Sequence, residues 1–374
     1  MERICHITDA HPPEDGRIFR RACVSCVRAG YETYLVERGE TYDKMGVHIV
    51  GIGQPEKASR LYRMTLFAKK AYETALRIDA DIYHLHDPEL LPYALKFKKL
   101  GKKVVFDSHE DYVEQIRQKT YLPKPIAHVV SRLFQYYSNR VYKRIDGLTY
   151  PGSGMVNSAF DGSCRNVVQT DNLPWLSELY DKYSANANKE PNTVCYIGGL
   201  DEARGITQIV RAAELANCKL YLAGPFSSDD YRRTIEMTDK HSHVEYLGVL
   251  DRNQIVELLQ KVEIGLCTLL DVGQYYKMKN LPTKVYEYMS MGLPVVINDS
   301  AYNKYFIEQC RIGYAVDSSS PEEIAHAITA LLEDKALREE CGKNGRNAII
   351  NTYCWDKVQN NLLDMYQSIL HSEN

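Results

Sequence analysis

The chain has 374 residues, 44% hydrophobic and 25% charged, a make-up that suits a globular protein with a proper core and two to three domains of about 150 residues. Lys plus Arg (46) nearly balance Asp plus Glu (49), and the net charge of -3 excludes a globally basic nucleic-acid binder and an acidic disordered chain. No apolar run nears the roughly 20 residues that cross a bilayer, and the opening MERICHITDA lacks the apolar core of a signal peptide, so a soluble, cytoplasmic protein is expected.

Short apolar runs then alternate with stretches of helical spacing, the signature of β/α units. Strands are expected over 3–8, 31–37, 47–52, 81–85, 103–106 and 147–150, with helices after the loop His11 to Gly16 and near 58–77, 89–100 and 123–144. The first helix places Ile18, Phe19, Ala22, Cys23, Cys26 and Val27 on one face. Cys23 and Cys26 are spaced like a redox pair, but both fall on that apolar stripe. They read, with the other scattered cysteines, as reduced core thiols. A first domain thus fills residues 1–170. Residues 169–192 hold Pro, Asn and Lys and form a connection with one short helix. A second series follows, with strands over 193–197, 219–223, 244–247, 264–268, 294–297 and 314–316, in a domain of residues 171–354. The tail 355–374 is a last helix expected to pack back near the first domain. The fold class is α/β, two doubly wound Rossmann-like domains facing a central cleft, with ligands at the carboxyl ends of the strands.

Polar residues gather at those ends. Asp9 and His11 follow the first strand, His84, His86, Asp87 and Glu89 surround another, and Asp107, His109, Glu110 and Asp111 follow the next. Each alone suits a loop cap, whereas three clusters at equivalent ends of one sheet mark a site. The second domain opens with Gly198-Gly199-Leu200-Asp201-Glu202-Ala203-Arg204-Gly205. A glycine pair lets the backbone approach a phosphate, and a helix beginning near Arg204 adds its positive end and a guanidinium fork. Further on, Asn280 is expected to cap a helix with Pro282 in its first turn and Gly292 at its end. Its free amides, with Thr283 and Lys284 beside them, suit an anion. Glu287, one turn on, can accept two ribose hydroxyls or pair with a lysine on the helix face. His84 and His86 share a strand face, but the segment lacks the further acid and histidine of a binuclear hydrolase, so no metal is expected.

On these residues the chain resembles the retaining glycosyltransferases of family four, among the group 1 glycosyltransferases, which have the two-domain GT-B fold. HLHDPELLP and SHED extend the likeness into the first domain. The resemblance implies that the second domain binds a nucleoside diphosphate sugar and the first an acceptor, a saccharide or lipid-linked saccharide. It implies transfer of a hexose-type sugar with retention, without metal or cofactor, in polysaccharide or glycoconjugate biosynthesis. Gly198 and Gly199 would form the close turn, Arg204 would hold the diphosphate, and Val249 would lie near the base. Asn280, Leu281, Pro282, Thr283 and Lys284 would line the donor, with Glu287 on its ribose. His109 would be the active-site histidine, with Gly16, His86 and Asp87 on the acceptor or diphosphate side. Three departures stand out: Gly199 where the family carries arginine, Arg204 where it carries lysine, and Lys279 where it carries the first of two glutamates. Lys284 would restore the missing charge. A sugar-nucleotide epimerase of similar fold and a non-catalytic nucleotide-sugar-binding protein are the alternatives.

The first domain also carries two basic stretches. From Lys57 to Arg77 six Lys or Arg face one acid, and from Tyr112 to Ile145 seven face one, interleaved with Leu61, Tyr62, Leu66, Phe67, Val129, Leu133, Phe134, Tyr136 and Tyr137. Such helices rest on an anionic membrane surface, making the protein peripheral there, or else bury the aromatics and solvate the charges. The near-neutral total averages unlike halves: residues 1–180 hold 26 basic and 22 acidic side chains (+4), residues 181–374 hold 20 and 27 (-7).

Overall fold

The computed structural model describes residues 1–56, 59–109, 111–117, 119, 122–152, 164–272 and 280–372; Lys57, Glu110 and Lys279 lie outside the described residues. The chain forms two compact units, Met1–Asn172 with Val358–Asn374, and Leu173–Lys357. Among the described residues no helix is long and apolar enough to cross a membrane.

The first unit is built on strands β1 (Arg3–Ile7), β2 (Glu32–Glu37), β3 (Tyr42–Lys44), β4 (Val47–Gly51), β5 (Ile82–Leu85), β6 (Lys103–Asp107), β7 (Gly147–Tyr150) and β8 (Val167–Gln169), ordered β3-β4-β2-β1-β5-β6-β7-β8. All neighbours are parallel except the hairpin of β3 with β4. The strand order reverses between β1 and β5, and at such a switch point the two exit loops part and leave room for a ligand. Ile4, Cys5, Ile7, Ile82 and Leu85 are fully enclosed there, as a central parallel strand requires. The hairpin strand β3 and the edge strand β8 were not expected from the pattern. Each has only three residues, and β3 is held by Met45 and Gly46, both at positive φ, rather than by apolar alternation. The helix Trp355–His371 starts in the second unit and ends in the first, where Tyr366 is fully buried and Met365 and Ile369 press on Gly147.

The second unit carries β9 (Thr193–Ile197), β10 (Lys219–Ala223), β11 (Val244–Tyr246), β12 (Ile264–Cys267), β13 (Val295–Asn298) and β14 (Gly313–Val316), all parallel in the order β11-β10-β9-β12-β13-β14. Its switch point lies between β9 and β12. Two helix starts differ from expectation. The helix Thr283–Ser290 is preceded by Pro282, extended at ψ 141, so Asn280 is two residues too early to cap it. The residue before a proline is kept out of the α region, which bars Leu281 from the first turn. After β9 a single 3-10 turn, Glu202–Arg204, comes first, and Gly205 at φ 71 turns the chain into the helix Ile206–Leu215.

Candidate functional site

Each unit presents a polar group of residues at the carboxyl ends of its central strands. In the second unit, β9 runs into Gly198, at φ 135, whose N–H donates to the Ala223 carbonyl at 2.8 Å. A side chain on Gly224, at φ 136, would start 1.9 Å from the Gly198 carbonyl oxygen, so the two loops meet backbone to backbone. Two cations close over this bare turn. The Arg204 guanidinium, paired with Asp201 at 3.0 Å, lies where a Gly199 side chain would begin, and the Lys284 Nζ lies 2.8 Å from where a Gly198 side chain would begin. The space a side chain at residue 199 would take is thus filled by a guanidinium arriving from residue 204.

Lys284 is the unusual group. Its Nζ is enclosed, sits 3.6 Å from the centroid of the Tyr196 ring and has no hydrogen-bond partner among the described residues. Burial, together with the like charge of Arg204, brings its pKa down to about 8, against the opposing pull of Cys267 and Glu287. An enclosed ammonium without a hydrogen-bonding partner among the described residues carries a desolvation cost in the free protein that the Tyr196 ring offsets only in part and a bound phosphate would relieve. Glu287, one turn along, gives Oε1 to Arg252 at 2.7 Å, and Arg252 also reaches Glu178 at 3.2 Å. The pairing expected with lysine is therefore made with arginine. Leu281 is buried in the core, Asn280, Pro282 and Thr283 are half-buried, and Val249 stands 72% exposed beside Gly248, whose carbonyl receives the Gly224 N–H at 2.7 Å.

In the first unit the hub is Asp107, at the end of β6. Arg17 grips it at 2.8 and 2.7 Å and also donates to the Thr170 carbonyl and hydroxyl at 2.7 and 2.9 Å, tying the loops after β1, β6 and β8. Burial would raise the Asp107 pKa, but Arg17 and His86 hold it well below the usual carboxylate range. Because this carboxylate only accepts, the protons of its neighbours can be assigned. His86 donates from Nδ1 to Asp107 at 3.2 Å, His6 donates from Nδ1 to His86 Nε2 at 2.9 Å, and the Cys26 thiol points at His6 Nε2 at 3.6 Å. A second branch runs from the Tyr366 hydroxyl to His84 Nδ1 at 2.5 Å, from His84 Nε2 to Thr149 at 3.4 Å, and from Thr149 to Asp107 at 2.7 Å. His6, His84 and His86 each offer a nitrogen within 4.8 Å of the others and form the group among the described residues that could gather a metal ion. Every ring nitrogen is already spent on a protein partner, so an ion would have to break the His6 to His86 bond.

His86 and Asp87, expected on the acceptor side, are each only 1% exposed. Asp87 accepts from the Thr8 hydroxyl at 2.7 Å and the Asp9 and Ala10 amides at 2.8 and 3.2 Å, and pairs with His11 at 3.1 Å. Both side chains spend their polar atoms on protein partners that hold the loops. Burial is the largest single influence and works against charge on His11, but the bond and charge of Asp87, with the charges of Asp15 and Asp107, together raise its pKa. The His11 ring meets His109 edge to face at 4.7 Å. His109, near the Tyr112 hydroxyl, is driven by burial down to about 4 and is neutral at physiological pH. Beside them Asp9 is enclosed, and burial plus the charges of Asp87 and Glu89 push its pKa well up, so that it is protonated and can share its proton with Asp87. Gly16 gives its carbonyl to Arg21 at 2.6 Å. Sequence reasoning missed Arg17, whose partners lie 90 and 153 positions away, and no spacing signal announces it.

Residues 181–348 match the family Glycosyl transferases group 1, and residues 16–160 match Glycosyltransferase Family 4. An uncharacterised glycosyltransferase of Methanocaldococcus jannaschii is 23% identical over 202 residues, 52% of this chain and 50% of that protein. The chain spans about half or less of the length of the curated relatives it matches. Among solved structures, sucrose-phosphate synthase from Thermosynechococcus elongatus superposes with a TM-score of 0.76 at 14% identity, covering 100% of both chains. The Anabaena protein HepE in complex with UDP-glucose gives 0.71 at 13% identity, covering 98% of this chain and 100% of that one. These likenesses show the GT-B fold. With the two family matches together taking in most of its length, the chain belongs to the family 4-like group 1 glycosyltransferases.

Proposed function

We propose that the protein transfers a hexose-type sugar from a nucleoside diphosphate sugar to a saccharide or lipid-linked saccharide, with retention of anomeric configuration, in cell-surface polysaccharide or glycoconjugate biosynthesis. The observation that carries the donor is the enclosed Lys284 ammonium, without a hydrogen-bonding partner among the described residues, beside the bare Gly198-Gly199 turn and Arg204. The family membership and the UDP-glucose complex of the Anabaena protein support the same reading.

In this reading Lys284, Arg204 and the free amides at Thr283 stabilise the departing diphosphate electrostatically and stand in for a metal ion. The acceptor oxygen bonds to the anomeric carbon on the face the diphosphate leaves. The bond from that carbon to the phosphate oxygen breaks with its electron pair, and the leaving phosphate takes the acceptor's proton. No protein nucleophile is assigned. His109, neutral near pH 7, contributes hydrogen bonding to the donor sugar rather than charge, and Glu287 keeps Oε2 for the ribose.

A thermal-shift panel of nucleoside diphosphates and their sugars tests the donor, because a ligand that binds only the folded state raises Tm. A panel without any shift would end the proposal. His109→Ala is expected to keep the shift and to lose release of the nucleoside diphosphate from the preferred donor; full turnover would remove His109 from the mechanism.

A further inference from the structure

The first unit has a surface that its core does not explain. The helix Lys124–Tyr142 buries Ala127, Ser131, Ser138 and Val141 on one side. On its other side Ile126, Val129, Val130, Leu133, Tyr136 and Tyr137 are 51%, 57%, 39%, 63%, 63% and 38% exposed. Their spacing of three and four makes one continuous stripe along a helix of about 28 Å. A helix whose apolar surface extends this far beyond the face it buries has a second partner, since monomeric proteins seldom leave such a stripe in water.

Charge decides what that partner is. From Gln115 to Ile145 the sequence holds seven Lys or Arg and no acid. Lys124, Arg132 and Arg140 are exposed on the same helix, and Arg140 lies over the Tyr136 ring at 5.5 Å while donating to its hydroxyl at 2.8 Å. A second copy of this chain, meeting through a two-fold axis, would set this patch against itself and oppose cation to cation. An anionic bilayer offers what the patch lacks: a hydrocarbon boundary for the stripe and a plane of negative charge for its flanks. The segment Arg60–Tyr62 with Arg63–Phe67 repeats the composition, with Leu61, Met64 and Leu66 exposed by 72%, 46% and 60%. The helix Leu91–Lys99 touches both, packing on Lys124–Tyr142 and donating from the Tyr93 hydroxyl to the Thr65 carbonyl at 3.5 Å.

We propose that the outward stripe of the helix Lys124–Tyr142 is a membrane-docking face that lies in the plane of an anionic lipid surface. This stands independently of the transfer reaction.

The test is co-sedimentation of the full chain with large unilamellar vesicles of phosphatidylcholine alone or mixed with phosphatidylglycerol. Binding is expected to the mixed vesicles only and to weaken in high salt, because each basic side chain near the surface contributes roughly fivefold to partitioning. The pairs Leu133→Glu with Tyr136→Glu, and Arg132→Glu with Arg140→Glu, should each lower partitioning by at least about tenfold, through lost apolar insertion and lost charge respectively. Since all four positions are exposed, Tm should not move. Absence of wild-type binding at low salt overturns the proposal, as does binding that neither pair weakens. Self-association in sedimentation velocity that the Leu133 and Tyr136 pair abolishes, without vesicle binding, assigns the stripe to a second copy and also overturns it.

Discussion

Single side chains set the electrostatics of both polar groups. Lys284 has its pKa depressed to about 8 in the folded chain, whereas in the unfolded chain it keeps the ordinary lysine value. Between those values the unfolded state holds more protons, so the free protein should gain stability as pH rises above 8. A bound diphosphate favours the charged form and raises that pKa again. Calorimetry just above pH 8, in buffers of different ionisation enthalpy and with whichever nucleoside diphosphate gives the largest thermal shift, should therefore register proton uptake. Lys284→Met should remove the uptake and weaken binding by about 1.5–3 kcal/mol, the scale of a hydrogen bond to a charged group. Equal affinity in the variant would detach Lys284 from the donor. Lys284 itself was legible in the sequence as a cation at a helix start, but its lack of a partner was not, because that depends on what β9 and its turn bring alongside.

Elements place these side chains. The Gly198 turn exists because the exit of β10 comes close enough for Gly198 to donate to Ala223, and because Gly224 has no side chain. Gly224→Ala would put a carbon 1.9 Å from the Gly198 carbonyl in a backbone region that side chains avoid. It should cost at least about 2 kcal/mol and lower Tm by several degrees, with nucleotide affinity falling too. A melting curve that does not shift would show the turn to be slack. The other strands of both sheets were readable as short apolar runs between turn residues, down to the three-residue β11. The short β3 and β8 were not, because pairing with a neighbour rather than an apolar pattern holds them. The start of the helix Thr283–Ser290 was misplaced for a local reason, the restriction a proline puts on the residue before it.

At the scale of the whole molecule, the first unit is tied together by the buried ion pair of Arg17 with Asp107. Asp107 keeps a depressed pKa, so the stability it supplies is present above the ordinary carboxylate pKa of about 3.9 and is lost as pH falls below it. Asp107→Asn leaves Arg17 enclosed without its counter-ion and should cost about 3–5 kcal/mol at neutral pH. Unfolding followed across acid pH should then lose the part of its dependence that belongs to this carboxylate. A variant as stable as the wild type would show the pair to be replaceable. Arg17 joins loops after three strands far apart in the chain, and no local pattern could name it. The carboxylate and histidine clusters were visible as strand-end residues. Their division of labour was not: His86 and Asp87 spend their polar atoms on Asp107, His6, His11 and the loop after β1, while His109 keeps a partly open edge.

The sequence by itself determined the two β/α series, the glycine turn, the cations near it and the basic, acid-poor stretches, since each is written in local spacing and composition. Only the tertiary structure decided which of those groups are enclosed, paired or bare. The net charge of -3 shows why. A sum over the chain carries no positions, and it is the folding of distant strands together that leaves the Lys284 ammonium without a hydrogen-bond partner among the described residues, locks three histidines into one hydrogen-bonded web and turns an apolar stripe outward among arginines.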